Sequence, residues 1–278
     1  MEQTKFIKNI LMNSNGISIA IVGDNERFLK DTIKNIILDI TSSEIDKYLF
    51  IDTEESPNIK IDDVRNIQDF LSFSPDKGTK FAVIFNAEKL LPEAENALLK
   101  TLEEPPDYAI IILVTTNWNA LFSTIKSRVF RFNLNIPNDL FKNIDNFFLK
   151  KLIWTFPDKV EELKNKDFKV IELDKLHKEK DIFNVFYTIY HSIKDSIGDL
   201  KKLNSIANSF SKIKDFDFLK TISKVSLWIA EEFSYFQNVD YNSIKDIEKI
   251  SSSKKANYNY ELTYYYILFS LNDSIKKD

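Results

Sequence analysis

The chain has 278 residues, 44% hydrophobic and 29% charged, with a formal net charge of −4 and no cysteine. That composition suits a globular protein of two or three modest domains, and it excludes disulfides, thiolate nucleophiles and zinc–thiolate centres. His177 and His191 are too few for a histidine metal centre or a Ser–His relay, and each is expected on a helix surface or in a satisfied polar contact. No window approaches the roughly eighteen apolar residues of a membrane helix. Residues 1–15 lack an apolar stretch followed by a cleavage site, so a cytoplasmic protein with no membrane partner is expected. The acidic balance gives no global basic field, which restricts any nucleic-acid contact to a local patch. Only Arg27, Arg65, Arg128 and Arg131 stand among the 38 basic residues. Such a lysine excess reads as genome composition or heat adaptation, not function.

In chain order, Ile17–Val22 is a short β-rich apolar run followed by Gly23 and Asp24. A helical stretch then reaches about Ile40, with Phe28, Leu29, Ile33, Ile36, Ile37 and Ile40 at helical spacing. Residues 48–52 are expected as a strand and 61–73 as a helix with Val64, Ile67, Phe70 and Leu71 on one side. Residues 81–85 and 109–115 are nearly continuous apolar runs, the pattern of strands covered on both faces. Between them a helix starts at Pro92 and stops before Pro105-Pro106, with Leu91, Ala94, Ala97, Leu98 and Leu102 as its buried stripe and Lys100 off it. The alternation predicts an α/β fold, a parallel sheet with helices on both faces.

Past Phe132 the pattern changes. Asn135-Ile136-Pro137-Asn138 reads as a linker, and 169–173 is a weak strand candidate. From Asp181 onward the pattern is all-α and aromatic-rich. Phe183, Phe186, Tyr187 and Tyr190 form one stripe; Leu219, Ile222, Val225, Trp228 and Ile229 a second; Leu262, Tyr265, Tyr266 and Phe269 a third. Aromatic stripes at this spacing read as helix-bundle core before ligand box. The run Ser251-Ser252-Ser253-Lys254-Lys255 reads as a loop before the last helix.

The residues after the first strand fail as a phosphate loop. Such a loop reads G-x-x-x-x-G-K-[ST]: backbone N–H groups cradle phosphate, the lysine neutralises charge and the hydroxyl ligates magnesium. Counted from Gly23, the second glycine is Phe28, the lysine is Leu29 and the hydroxyl residue is Lys30. Phe28 lacks glycine's backbone freedom, and Asp24 and Glu26 would repel phosphate. Lys30 or Arg27 could reach a phosphate only by an unusual route. A second loss is independent of the first. Phosphoryl-transfer folds end the next core strand in a magnesium-holding Asp and often a Glu, whereas this chain has Phe85 and Asn86, with Glu88 two or three residues out of place. ATP binding, cofactor binding and a metal site are therefore not expected.

The stretch Asn96-Ala97-Leu98-Leu99-Lys100-Thr101-Leu102-Glu103-Glu104-Pro105-Pro106 resembles the bacterial DNA polymerase III clamp-loader family, whose gamma/tau and delta-prime subunits are AAA+ proteins. Ile61-Asp62-Asp63-Val64-Arg65 resembles the family's I-D-x-I/V-R segment. Val114-Thr115-Thr116-Asn117 resembles its sensor 1, and Ser127-Arg128-Val129 its Ser-Arg-Cys motif. The likeness is strong over about residues 60–133, extends plausibly back to residue 1, and is architectural beyond 135. In the family, gamma/tau keeps the phosphate loop and the acidic pair, and delta-prime often lacks them while keeping Ser-Arg-Cys, so the chain is similar to delta-prime. It departs in having no four-cysteine zinc module between about residues 38 and 61, so no zinc is expected, and in carrying Val129 for the motif's cysteine.

The resemblance implies an AAA+ P-loop-type domain with a degenerate site at 1–134, a small helical lid at 135–175 and a C-terminal helical oligomerisation collar at 176–278. It implies no ATPase activity of the chain's own. Instead the chain would complete a polymerase III clamp loader with gamma/tau and delta subunits, which loads the sliding clamp on primed DNA. Ser127 and Arg128 would supply an arginine finger to the neighbour's ATP; from position alone Arg128 reads as a helix-cap or surface ion-pair residue. Arg131 is structural. Thr116 is a relic at a strand end, and Lys100 either faces DNA phosphate or is a solvated helix residue. Two rival readings stand beside this one: an active gamma/tau-like ATPase with an irregular loop, and a stand-alone DNA-binding AAA+ relic, which would show salt-dependent affinity without partners.

Overall fold

The computed structural model describes residues 2–53, 56–253 and 258–275. The chain divides into two compact units, Met1–Lys142 with Trp154–Asp158 and Asn143–Ile153 with Lys159–Asp278. Residues 135–175, expected as a lid, contribute to both.

The first unit runs α1 (Glu2–Asn13), β1 (Ile17–Val22), α2 (Glu26–Ile40), β2 (Tyr48–Ile51), α3 (Ile61–Leu71), β3 (Lys80–Phe85), α4 (Pro92–Glu103), β4 (Ala109–Thr115), α5 (Ser123–Lys126) and β5 (Phe130–Asn133). All strands pair in parallel, in the order β2-β3-β4-β1-β5. Every residue of β3 and β4 is buried, because side chains of period two feed two separate cores. Ala20, Ala82, Ile84, Ile111 and Leu113 pack with Val64, Ile67, Leu98 and Leu102 of α3 and α4. Their alternates Ile19, Ile21, Phe81, Val83, Ile110 and Ile112 pack with Ile7 and Leu11 of α1 and Leu29, Ile33 and Ile37 of α2. This is the α/β fold with helices on both faces that the alternation predicts. Helix α1 carries no mark in the periodicity reading. In α4 the buried positions are Ala94, Glu95, Leu98 and Leu102, while Leu91 and Ala97 are half-buried; the carboxylate of Glu95 replaces an expected apolar contact because it has a hydroxyl partner in Thr124.

The second unit contains α6 (Phe147–Thr155, its last two residues belonging to the first unit), α7 (Val160–Lys164), α8 (Ile182–Lys194), α9 (Leu200–Ser211), α10 (Phe216–Ser234), α11 (Tyr241–Ser252) and α12 (Tyr260–Ser274). Four of these helices, α8, α9, α10 and α11, begin at an aspartate whose side chain accepts backbone N–H bonds of the first turn. The first two stripes line the core, with Phe183, Phe186, Tyr190, Leu219, Ile222, Val225, Trp228 and Ile229 buried and Tyr187 half-buried. Three expectations are corrected. The strand at 169–173 does not form. Its Lys169 and Ile171 N–H groups donate instead to Asn184 Oδ1 at 3.0 Å and Thr188 Oγ1 at 2.9 Å, two polar side chains one turn apart on α8. The third stripe is rotated: Leu262 is 66% and Tyr266 44% exposed, while Tyr264, Ile267, Leu268 and Leu271 are buried. Tyr264 is the anchor, since its hydroxyl reaches the Ile213 carbonyl at 2.9 Å and lets a full aromatic ring be buried. Ser251 and Ser252 end α11 instead of opening a loop; Lys254 and Lys255 lie outside the described residues.

His177 is exposed, whereas His191 sits among the rings of Phe148, Tyr187 and Tyr190. Burial holds the His191 pKa below its ordinary 6.5, with Asp195 pulling the other way. The unfolded chain therefore takes up this proton at a higher pH than the folded one, so stability falls as pH drops below about 6.5 and until the folded pKa is passed. Denaturant unfolding between pH 7 and 5.5 should show that slope, and His191→Gln should flatten it; parallel profiles would contradict the assignment.

Candidate functional site

The site lies at the carboxyl ends of β1, β3 and β4, where parallel sheets place ligands. Chain passes from β1 to α2 through Gly23, Asp24 and Asn25 alone. Asn25 adopts an extended backbone and caps α2: its Oδ1 accepts from the Phe28 N–H at 2.8 Å and its Nδ2 donates to the Trp154 carbonyl at 2.5 Å. A helix N-terminus that would offer its N–H groups to an anion thus has its own side chain in that place. Gly23 has a packing reason to be glycine. Its N–H donates to the Thr115 carbonyl at 3.2 Å, and a Cβ there would fall 2.2 Å from the Leu134 carbonyl oxygen and 2.8 Å from Leu29 Cδ2.

The other residues singled out here each have a partner. Lys30 forms an ion pair with Asp52, just past β2. Arg27 pairs with Asp158 at 3.3 Å and lies 4.9 Å over the Phe156 ring. Asn86, at the place expected for the Glu that follows the magnesium-holding Asp, takes the left-handed backbone (φ 54°, ψ 46°) that asparagine tolerates. Its amide donates to Glu26 Oε1 at 2.8 Å and Thr53 Oγ1 at 2.9 Å. Leu29 and Phe85 are buried in the apolar layer under α2, and Phe28 packs against it. The hydroxyl of Thr115 donates to Glu88 Oε2 at 2.6 Å and accepts from the Asn117 N–H at 3.0 Å. The strand end is therefore held by Thr115, while Thr116 is exposed at the rim. Between these groups lies a depression of ≈ 10 Å³, about the room one water needs. Among the described residues no three His, Asp or Glu side chains are grouped to hold a metal ion.

The Ser-Arg pair stands elsewhere, at the end of α5. Arg128 Nε donates to Glu103 Oε2 at 3.1 Å, and Nη1 donates to the Thr124 carbonyl at 2.9 Å and to Ser127 Oγ at 3.3 Å. Ser127 Oγ itself donates to the Thr124 carbonyl at 3.0 Å. The Arg128 side chain is 29% exposed, and Val129 beside it packs on the core under α4. Arg131 lies on the exposed strand β5, its guanidinium 4.8 Å over the Trp118 ring. Lys100 is exposed on α4. The sequence reading located Arg128 and Ser127 but missed Asn25, Glu95, Thr124 and the role of Glu103. Asn25, directly before a helical pattern, carried a recognisable cap signal; the others carried none.

Residues 21–138 match the family model described as DNA polymerase III, delta subunit, and residues 189–273 the model described as DNA polymerase III gamma subunit-related, C-terminal domain. The DNA polymerase III subunit delta-prime of Buchnera aphidicola (Schizaphis graminum) is 29% identical over 81% of this chain and 64% of its own length. A gamma subunit of Buchnera aphidicola (Acyrthosiphon pisum) is 29% identical over 63% of this chain and 44% of its own. The chain thus spans less than half of that gamma subunit. A crystal structure of a DNA polymerase III gamma subunit-related protein from Thermotoga maritima superposes with a TM-score of 0.70 at 28% identity, covering 99% of this chain and all of that one. No helix among the described residues is long and apolar enough to cross a membrane.

Proposed function

Because the chain belongs to the bacterial DNA polymerase III clamp-loader family, we propose that it is the delta-prime-like member that binds no nucleotide itself and lends Arg128 to a neighbour. In this reading it assembles in the cytoplasm with gamma/tau and delta subunits, holds the assembly in shape, and takes part in loading the sliding clamp onto primed DNA. The observation that carries the reading is the turn from β1 to α2. The cap by Asn25, bonded in turn to the Trp154 carbonyl, stands where phosphate would sit, and the lysine nearest to it is paired with Asp52. Displacing these contacts would cost the chain its own helix cap, about 1 kcal/mol, with no lysine released to repay it.

Isothermal titration of the isolated chain with ATP and magnesium is expected to give no binding up to high micromolar ligand. Micromolar affinity would overturn the proposal in favour of an active gamma/tau-like ATPase.

A further inference from the structure

Helix α4 holds α5 and the turn that follows it at two points. Near its start the buried carboxylate of Glu95, 5% exposed, accepts the Thr124 hydroxyl. At its last residue Glu103 accepts Arg128 Nε at 3.1 Å. Between them the Thr124 carbonyl accepts both Arg128 Nη1 at 2.9 Å and Ser127 Oγ at 3.0 Å. Two of the three guanidinium nitrogens, Nε and Nη1, are therefore held, and Nη2 makes no hydrogen bond to any described residue. A planar group held at two of its nitrogens has a fixed orientation, so the N–H groups of the third are presented in a set direction to an anion such as a phosphate oxygen. We infer that Glu103 is a positioning residue for Arg128: with Thr124 fixed by Glu95, it aims Nη2 at the phosphates of a nucleoside triphosphate bound by a neighbouring subunit. This rests on the proposed donation of Arg128. Glu103 of the L-E-E-P-P stretch thus gains a chemical task beyond ending a helix, and it matters through direction, since its own carboxylate is 60% exposed.

The test compares Arg128→Ala, Glu103→Ala, Glu103→Gln and the double alanine variant in the reconstituted clamp loader. Glu103→Ala should lower kcat of the DNA-stimulated ATPase about tenfold, as loss of alignment does, with KM for ATP unchanged. Glu103→Gln, which keeps an acceptor for Nε, should retain most of the rate, and adding Glu103→Ala to Arg128→Ala should cost nothing further. A loss with Arg128→Ala but none, or a gain, with Glu103→Ala sinks the positioning role alone; so does a loss that adds in the double variant, which marks a structural effect. In the isolated chain the Arg128 Nε–H resonance should be protected from exchange and lose that protection in Glu103→Ala. That readout is independent of the neighbour's chemistry, and an unprotected resonance in the parent chain overturns the grip itself. No loss with Arg128→Ala while Nε–H is protected would instead reject the donation of Arg128 and, with it, the aim assigned to Glu103.

Discussion

Replacing Arg128 with alanine in a clamp loader reconstituted with gamma/tau and delta partners is expected to leave assembly intact and to cut single-turnover ATP hydrolysis at the served site by about a thousandfold, the lower end of what an arginine finger supplies. Steady-state ATPase stimulated by DNA and clamp should fall with it. The substitution is a clean probe because the side chain does little for folding. Its ion pair with Glu103 joins side chains 29% and 60% exposed, and such pairs contribute about 0–1 kcal/mol. Val129, not Arg128, makes the packing contact with the core. Arg128→Lys should fail to rescue, since a point charge cannot contact the same oxygens through a fork. An unchanged rate at the served site with normal assembly would remove the finger role.

The second large effect is on stability. Gly23→Ala places a methyl 2.2 Å from the Leu134 carbonyl oxygen and 2.8 Å from Leu29 Cδ2. The nearer atom belongs to backbone that is itself pinned, since the Leu134 N–H donates to the Val22 carbonyl at 2.8 Å. A flexible side chain could swing away from a new methyl; this carbonyl can retreat only by opening the β1–β5 edge. The expected loss is about 3 kcal/mol, the upper end of overpacking costs, seen as a lower denaturant midpoint and faster hydrogen exchange in β1. In a working phosphate loop the same change would act through lost ligand affinity. Here it should act with no nucleotide present, and a parent-like midpoint would show that the close approach is not rigid.

The α/β half was legible because β3 and β4 are apolar at every position but Lys80 and Thr115, and only a strand covered on both faces needs that. The mismatch with a phosphate-loop pattern is a matter of residue identity alone: Phe28 and Leu29 stand at the glycine and lysine positions. The helical half was read less well. In α12 aromatic residues occupy most of the circumference, so periodicity alone could not say that Tyr264 and not Tyr266 faces inward; the Ile213 carbonyl that satisfies its hydroxyl lies 51 residues away. The segment 169–173 shows the same limit, since its backbone partners are Asn184 and Thr188 of a helix, not a strand.

The linear chain by itself thus determines which side chains stand at residues 23–30 and 85–86 and that Ser127 and Arg128 adjoin, because residue identity does not depend on folding. Folding decides which partners these residues find. Asn25 meets the Trp154 carbonyl across 129 residues and Arg128 meets Glu103 across 25. Hydrogen bonds act over about 3 Å, so partners so far apart along the chain are brought within reach only by tertiary packing.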